Sequence, residues 1–206
     1  MEEMFAYERV TNGDKLAVIN RLDRETSGIV LVSRHRAAAG MLGKAMEARE
    51  FSKTYHAIVW GWPEDDSFEV DGSILRKGDV ESSPIWVKQM VHPDGKLCLT
   101  RFEVVKRFER ETTNGNRFSL IKCDLLTGRM HQIRVHLAHA GFPIVGDKIY
   151  GPDENCYLKF IETGWTDELD GELLLNRQAL HASGFSWGDR EWECELPGDM
   201  GKFLDC

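Results

Sequence analysis

Two short apolar runs, residues 16–19 and 29–32, bracket nine mostly polar residues and limit what the front of this chain can become. Both runs are rich in β-branched residues and closed by polar punctuation, the pattern of buried strands. The stretch between them, Asn20-Arg21-Leu22-Asp23-Arg24-Glu25-Thr26-Ser27-Gly28, is read as a tight loop hung from two rigid elements. Such a loop is a good place to hold a reactive group steady. Asp23 lies in it between Arg21 and Arg24, and nearby positive charge favours the charged form of a carboxylate. On this loop alone, a surface turn with an incidental ion pair is an equally good reading.

The rest of the chain alternates helix and strand signals. Residues 1–14 lack periodicity and end in the turn signal Asn12-Gly13-Asp14. Ser33 is placed as the N-cap of an Ala-rich helix over residues 35–50, with Met41, Leu42, Ala45 and Met46 at helical spacing. Residues 52–60 read as a strand with Tyr55, Ala57 and Val59 on one face. Residues 64–83 read as a small hairpin or lobe with Ile74-Leu75 tucked in. Residues 85–90 and 97–108 read as two strands joined through His92-Pro93-Asp94-Gly95-Lys96, since Asp-Gly is a strong hairpin signal. A strand over 117–126 and a helix from about Met130 to Gly141 follow. After a tight connection and a polar stretch holding the acidic run 167–172, strands over 180–187 and 191–196 and a short helix after Pro197 close the chain. The class expected is α+β, a mixed, largely antiparallel central sheet with flanking helices and loops and a catalytic cleft along the sheet.

Composition narrows the function. No apolar run approaches the length of a membrane span, and the acidic start Met1-Glu2-Glu3 lacks the shape of a secretory signal. The five cysteines, Cys98, Cys123, Cys156, Cys194 and Cys206, are scattered without a C-x-x-C pair and read as reduced thiols of an intracellular protein. Net charge is −8, yet residues 15–60 carry +4 and residues 151–206 carry −9, so the Asp23 loop lies in the basic part. A local basic face can meet phosphates on an acidic protein. His131, His136 and His139 do not match the H-E-x-x-H spacing of a helical zinc site. Basic residues at the start of that helix suit anion contact better.

Arg21-Leu22-Asp23-Arg24-Glu25-Thr26-Ser27-Gly28 resembles the R-L-D-x-x-T-S-G loop of the RluA-type pseudouridine synthases. Lys53-Thr54-Tyr55, then Gly95-Lys96 with Thr100, then Gly128-Arg129-Met130-His131-Gln132-Ile133-Arg134-Val135-His136 follow in the family's order. Phe142-Pro143-Ile144-Val145-Gly146-Asp147 and Ala179-Leu180-His181-Ala182 complete the resemblance.

The resemblance implies an isomerase of uridines in structured rRNA or tRNA, a cytoplasmic monomer needing no cofactor, metal or membrane. It makes Asp23 the essential carboxylate, Tyr55 the tyrosine beside the uracil and Arg134 the cation paired with Asp23. Arg21 matches the arginine that fills the stack when the uridine is turned out, a step that base chemistry generally requires. Arg24, Thr26, Lys53, Arg129, His131 and Gln132 are the further residues expected at the RNA. Two differences from the family pattern stand out. Asn20 replaces the usual His before Arg-Leu-Asp. The opening strand pair with its Lys-Pro-x-Gly motif is expected to be missing, as is an S4-like module, leaving residues 1–206 as one catalytic domain. The alternative is an RNA-binding protein of the same fold that is catalytically weak or silent. An unrelated carboxylate hydrolase would need a second acid near Asp23, for which Glu25 is poorly placed.

Overall fold

In the computed structural model, residues 16–205 are described. The turn expected at Asn12-Gly13-Asp14 and the thiol of Cys206 lie outside them.

The two runs beside the Asp23 loop are shorter and less buried than their composition implies. β1 (Ala17–Val18) pairs antiparallel with β3 (Val32–Ser33), and between them lies β2 (Ser27–Gly28). Val18 is 53% exposed, so this is a surface ribbon and not a pair of core strands. β-Branched residues suit any pleated surface, and so short a run does not say which kind. Ser33 does not cap α1 (Arg36–Glu47); its hydroxyl closes a local turn onto the backbone of His35, which stands at the N-cap. α1 presents Ala45, Leu42 and Met46 to Phe51 and Phe185, while Met41 is exposed.

β4 (Phe51–Trp60) is the central strand, with Tyr55, Ala57 and Val59 buried on one face. β5 (Ser67–Asp71), β6 (Ile74–Arg76), β7 (Gln89–Val91), β8 (Leu99–Glu109) and β9 (Arg117–Leu125) follow. The hairpin expected across Asp94-Gly95 is not formed. β7 pairs with β6, whereas β8 pairs with β5 and β9. Gly95 does turn the chain, its N–H donating to His92 O at 2.9 Å. The Asp-Gly signal thus sets the bend, while burial decides the partners. Ile74, nearly fully buried, is held between Val91 and Lys96.

α2 (Gln132–His139), α3 (Asn155–Thr163), α4 (Asp167–Leu173), β10 (Leu180–Trp187), β11 (Arg190–Glu193) and α5 (Gly198–Leu204) complete the described chain. α3 and α4 occupy the stretch read as merely polar. A signal was there: Thr166 Oγ1 accepts from Leu169 N at 3.3 Å as an N-cap, and acids in the first turn suit the helix dipole.

The main sheet runs β11-β10-β4-β9-β8-β5, antiparallel along that path, and β2 adds to β10 in parallel. This is the expected α+β class with a mixed sheet. Ile58, Val59, Phe118, Ile121, Leu137 and Ile144 are sealed from water in its core, each worth about 1.5–3 kcal/mol in burial. α2 lies on the sheet through Ile133 and Leu137. Among the described residues no helix is long and apolar enough to cross a membrane.

Candidate active site

The loop of residues 20–28 is fastened at both ends and at its middle. Asn20, buried at the neck, donates to Ile29 O at 3.1 Å and accepts from Leu31 N at 2.6 Å. It thereby closes the loop's base. Gly28 has φ +120°, and a Cβ there would meet Ala182 O at 2.2 Å, so only glycine lets β2 lie against β10. Ser27 Oγ bonds His181 Nδ1 at 2.9 Å. Gln178, also buried, donates to both Arg24 O and Thr26 Oγ1 at 2.9 Å. Glu25 takes a left-handed φ of 71°, and its carboxylate accepts from Lys148 Nζ at 2.8 Å. The Lys148 ammonium lies over the rings of Phe160 and Trp165, which couples α3 and its C-terminal flank to the loop.

Asp23, thus presented, lies in a hollow of about 120 Å³ that Arg21, Tyr55 and Arg134 also line. Arg134 Nη1 is 3.5 Å from Asp23 Oδ2, and His131 Nε2 is 4.0 Å from the same oxygen. Arg134 is not chiefly the partner of Asp23, however. Its Nε and Nη2 donate to Asp147 at 2.6 and 2.8 Å, and Asp147 also accepts from Ile149 N and Tyr150 N. This fork is nearly closed to water, and bidentate geometry makes such pairs strong and directional. Asp23 receives the guanidinium nitrogen left over.

Electrostatics follow from that layout. Burial works against the Arg134 charge, but contact with Asp147 outweighs it, helped by Tyr150 and Asp23, and its pKa ends above the ordinary arginine value. Burial likewise opposes the Asp147 charge, but Arg134 and the two backbone amides hold that carboxyl below the usual range. The Tyr55 phenol is pushed up to about 12, first by burial and then by Asp23 and Cys123, so it is neutral at pH 7. Burial lowers the pKa of Lys53. Burial, then Arg134, lowers that of His131 against the pull of Asp23 and Asp147.

Of the ten site residues expected from sequence, nine line this hollow: Asp23, Tyr55, Arg134, Arg21, Thr26, Lys53, Arg129, His131 and Gln132. Arg24 does not. It lines a neighbouring hollow of about 290 Å³, which shares His131 and Arg134 with the first. Gln132 is committed to the protein: its amide donates to Leu99 O and Thr100 Oγ1 and accepts from Thr127 Oγ1 and Arg129 N. All its polar capacity is used to pin residues 127–132 to β8. His131, in a left-handed turn at the N-cap of α2, bonds Tyr150 OH at 2.8 Å. His136 is fully buried between Thr100 and Gly72, a core histidine.

Sequence reading assigned no part to Asp147, Tyr150, Lys148 or Gln178. Asp147 closes the matched motif Phe142–Asp147 and Gln178 precedes Ala179, so their positions were in view while their partners were not. Among the described residues no cluster of His, Cys, Asp and Glu is arranged to hold a metal ion.

Comparison with known proteins fits this geometry. A family model for RNA pseudouridylate synthase matches residues 2–139. A Bacillus subtilis protein named as the uncharacterized RNA pseudouridine synthase YhcT is 34% identical over 191 residues, covering 89% of this chain and 52% of its own length. The dual-specificity RNA pseudouridine synthase RluA of Vibrio parahaemolyticus is 35% identical over 139 residues, covering 68% of this chain and 53% of its own. The chain spans about half the length of the curated relatives it matches. In fold it is similar to human RNA pseudouridylate synthase domain containing 4, with TM-score 0.73 and 20% identity over 99% of this chain and 81% of that one. From the matched residues and the shared fold, the chain belongs to the RNA pseudouridylate synthase family, on its RluA-type side.

Proposed function

We propose that the chain is the catalytic domain of an RNA pseudouridine synthase acting on uridines of structured rRNA or tRNA, as a cytoplasmic monomer without cofactor. The observation that carries this reading is the Asp23 carboxyl oxygen 3.5 Å from Arg134, in a hollow that Tyr55 also lines. In the reaction the bond between ribose C1′ and uracil N1 breaks, the base turns, and C5 bonds to C1′. The proton on C5 leaves and N1 gains one, so the RNA keeps its mass. Breaking a glycosidic bond builds positive charge at the sugar, which a carboxylate at that place stabilises. Arg134, held by Asp147, keeps a fixed cation beside Asp23 in each of these steps, so that Asp23 has no need to reorganise as charge develops. Neutral Tyr55 offers a ring for the uracil to stack on and a phenol that exchanges a proton. Arg21, at the mouth, takes the place of the extruded base. Arg24, Lys53 and Arg129 meet phosphates, while Thr26, His131 and Gln132 hold the loops that carry the chemistry.

The test is to treat uridine-containing cellular RNA with the protein and map carbodiimide-dependent reverse-transcription stops. New stops are expected with the native chain and none with Asp23→Asn. RNA binding without any stops would leave a binding protein of the same fold and overturn the enzymatic reading. Arg21→Ala is expected to lower turnover more than RNA affinity, because extrusion follows phosphate contact.

A further inference from the structure

The turn that joins Ile85 to Lys88, closed by a 3.1 Å bond from Lys88 N to Ile85 O, carries Trp86 and Val87 at its tip. Turn tips favour glycine, asparagine, aspartate, proline or serine. Trp86 is instead 77% exposed, the most exposed large hydrophobic side chain among the described residues. The turn is not loose. Ile85 is sealed in a small core with Val135 and Tyr150, and Gln89 N donates to Tyr150 OH at 2.8 Å. Tyr150 in turn bonds His131 and lies under Arg134, so the turn is built onto the same frame as the active site.

One face of the indole is already occupied. The Arg76 guanidinium lies 3.7 Å from the Trp86 ring centroid, and Asp79 holds Arg76 in place through Nε at 3.0 Å. Arg76 is also fixed in β6, opposite Gln89 of β7. The ring is therefore oriented before any ligand arrives, which lowers the entropic cost of binding to it. A groove on the same hairpin, lined by Arg76, Lys96 and Arg129, leads to Gly128 and Arg129 at the lip of the catalytic hollow. Asp79 and Asp94 also line it, the first tied to Arg76 and the second beside His92. Trp86 meets this groove through Arg76, which both lines it and stacks on the indole, and an oriented aromatic face beside a cation-bearing groove is the combination that holds single-stranded nucleic acid.

We propose that Trp86, backed by Arg76, is a stacking platform for an unpaired base of the RNA outside the target uridine. The inference rests on the RNA-substrate reading above. It is tested by fluorescence anisotropy with a labelled short oligouridylate, alone and annealed to oligoadenylate, using the native chain, Trp86→Ala and Trp86→Phe. Far-UV circular dichroism checks that each variant is folded. Loss of one base–aromatic stack weakens single-strand binding about tenfold in Trp86→Ala, while Trp86→Phe keeps most of the affinity and duplex binding is unchanged. Equal losses on single strand and duplex, or single-strand affinity unchanged in Trp86→Ala, would overturn the platform while leaving the RNA reading intact. A native chain that binds neither oligonucleotide would overturn the platform, while the RNA reading stands or falls separately on the carbodiimide-dependent stops on cellular RNA.

Discussion

Two carboxylates share one guanidinium, and they are treated very differently. Asp147 is fully buried, takes two hydrogen bonds from Arg134 and two more from backbone amides. The side chain of Asp23 is 28% exposed and touches the same arginine only at 3.5 Å. The saturated acid builds the frame. Among the described residues the unsaturated one meets only Arg134 and His131, at 3.5 and 4.0 Å, which leaves its oxygens open to a ligand, on a loop whose backbone is held by other residues. The contrast separates an acid spent on the frame from one left open to a ligand.

The largest effect expected is on Asp147. Asp147→Ala strands a buried guanidinium and costs about 3–5 kcal/mol of stability, read by urea denaturation. Asp23→Asn, by contrast, changes stability by less than about 1 kcal/mol, since the pair it breaks is long and partly exposed. Comparable losses from the two would erase the distinction. Gly28→Ala comes next, at about 1–3 kcal/mol, because it forces a side chain into a left-handed backbone against Ala182. Its turnover falls as well, since β2 sets the height of the loop; normal turnover would show the loop to be less rigid than drawn. Lys148→Met costs about 1.5–3 kcal/mol, the loss of a charge-assisted hydrogen bond. It slows turnover in single-turnover assays while filter-bound RNA is unchanged. An equal loss in both would mean Lys148 acts at the RNA and not through Glu25.

The smallest effect is with pH. His56, His131, His136 and His181 all have pKa values lowered, chiefly by burial. The unfolded chain, with histidines near 6.5, then binds protons more readily than the folded one. Their contribution is therefore fully present above about pH 6.5 and declines as pH falls through that value. Asp147, whose pKa is depressed, gives way only at lower pH, below about 3.9. Unfolding free energy measured from pH 7.5 to 3 should fall in two stages. A flat profile down to pH 4.5 would deny the histidines their neutral, buried state.

Much of this was legible in the sequence where local chemistry decides. β4, β9, β10 and α2 follow from period and punctuation, and the ordered motifs place Asp23, Tyr55 and Arg134 in one site. What the sequence hid depends on contacts made across the fold. Asp147 and Arg134 are thirteen residues apart, and nothing in either motif says that the arginine's fork is turned toward the buried acid. Gln132 looks like a free polar group until its four partners are seen on two segments, the loop after β9 and the start of β8. The β6–β7 pairing is not legible locally, because the Asp94-Gly95 signal sets a bend without fixing which strands pair beside it. Asn20, which departs from the family's histidine, nevertheless makes the two backbone bonds that close the loop.

The division between the two acids is tested most directly by taking one preparation of Asp23→Asn and measuring both its urea midpoint and its carbodiimide-dependent stops on cellular RNA. An unfolding curve matching the native chain, with no stops, is expected. Stops at native positions from that same folded variant would take the chemistry away from Asp23.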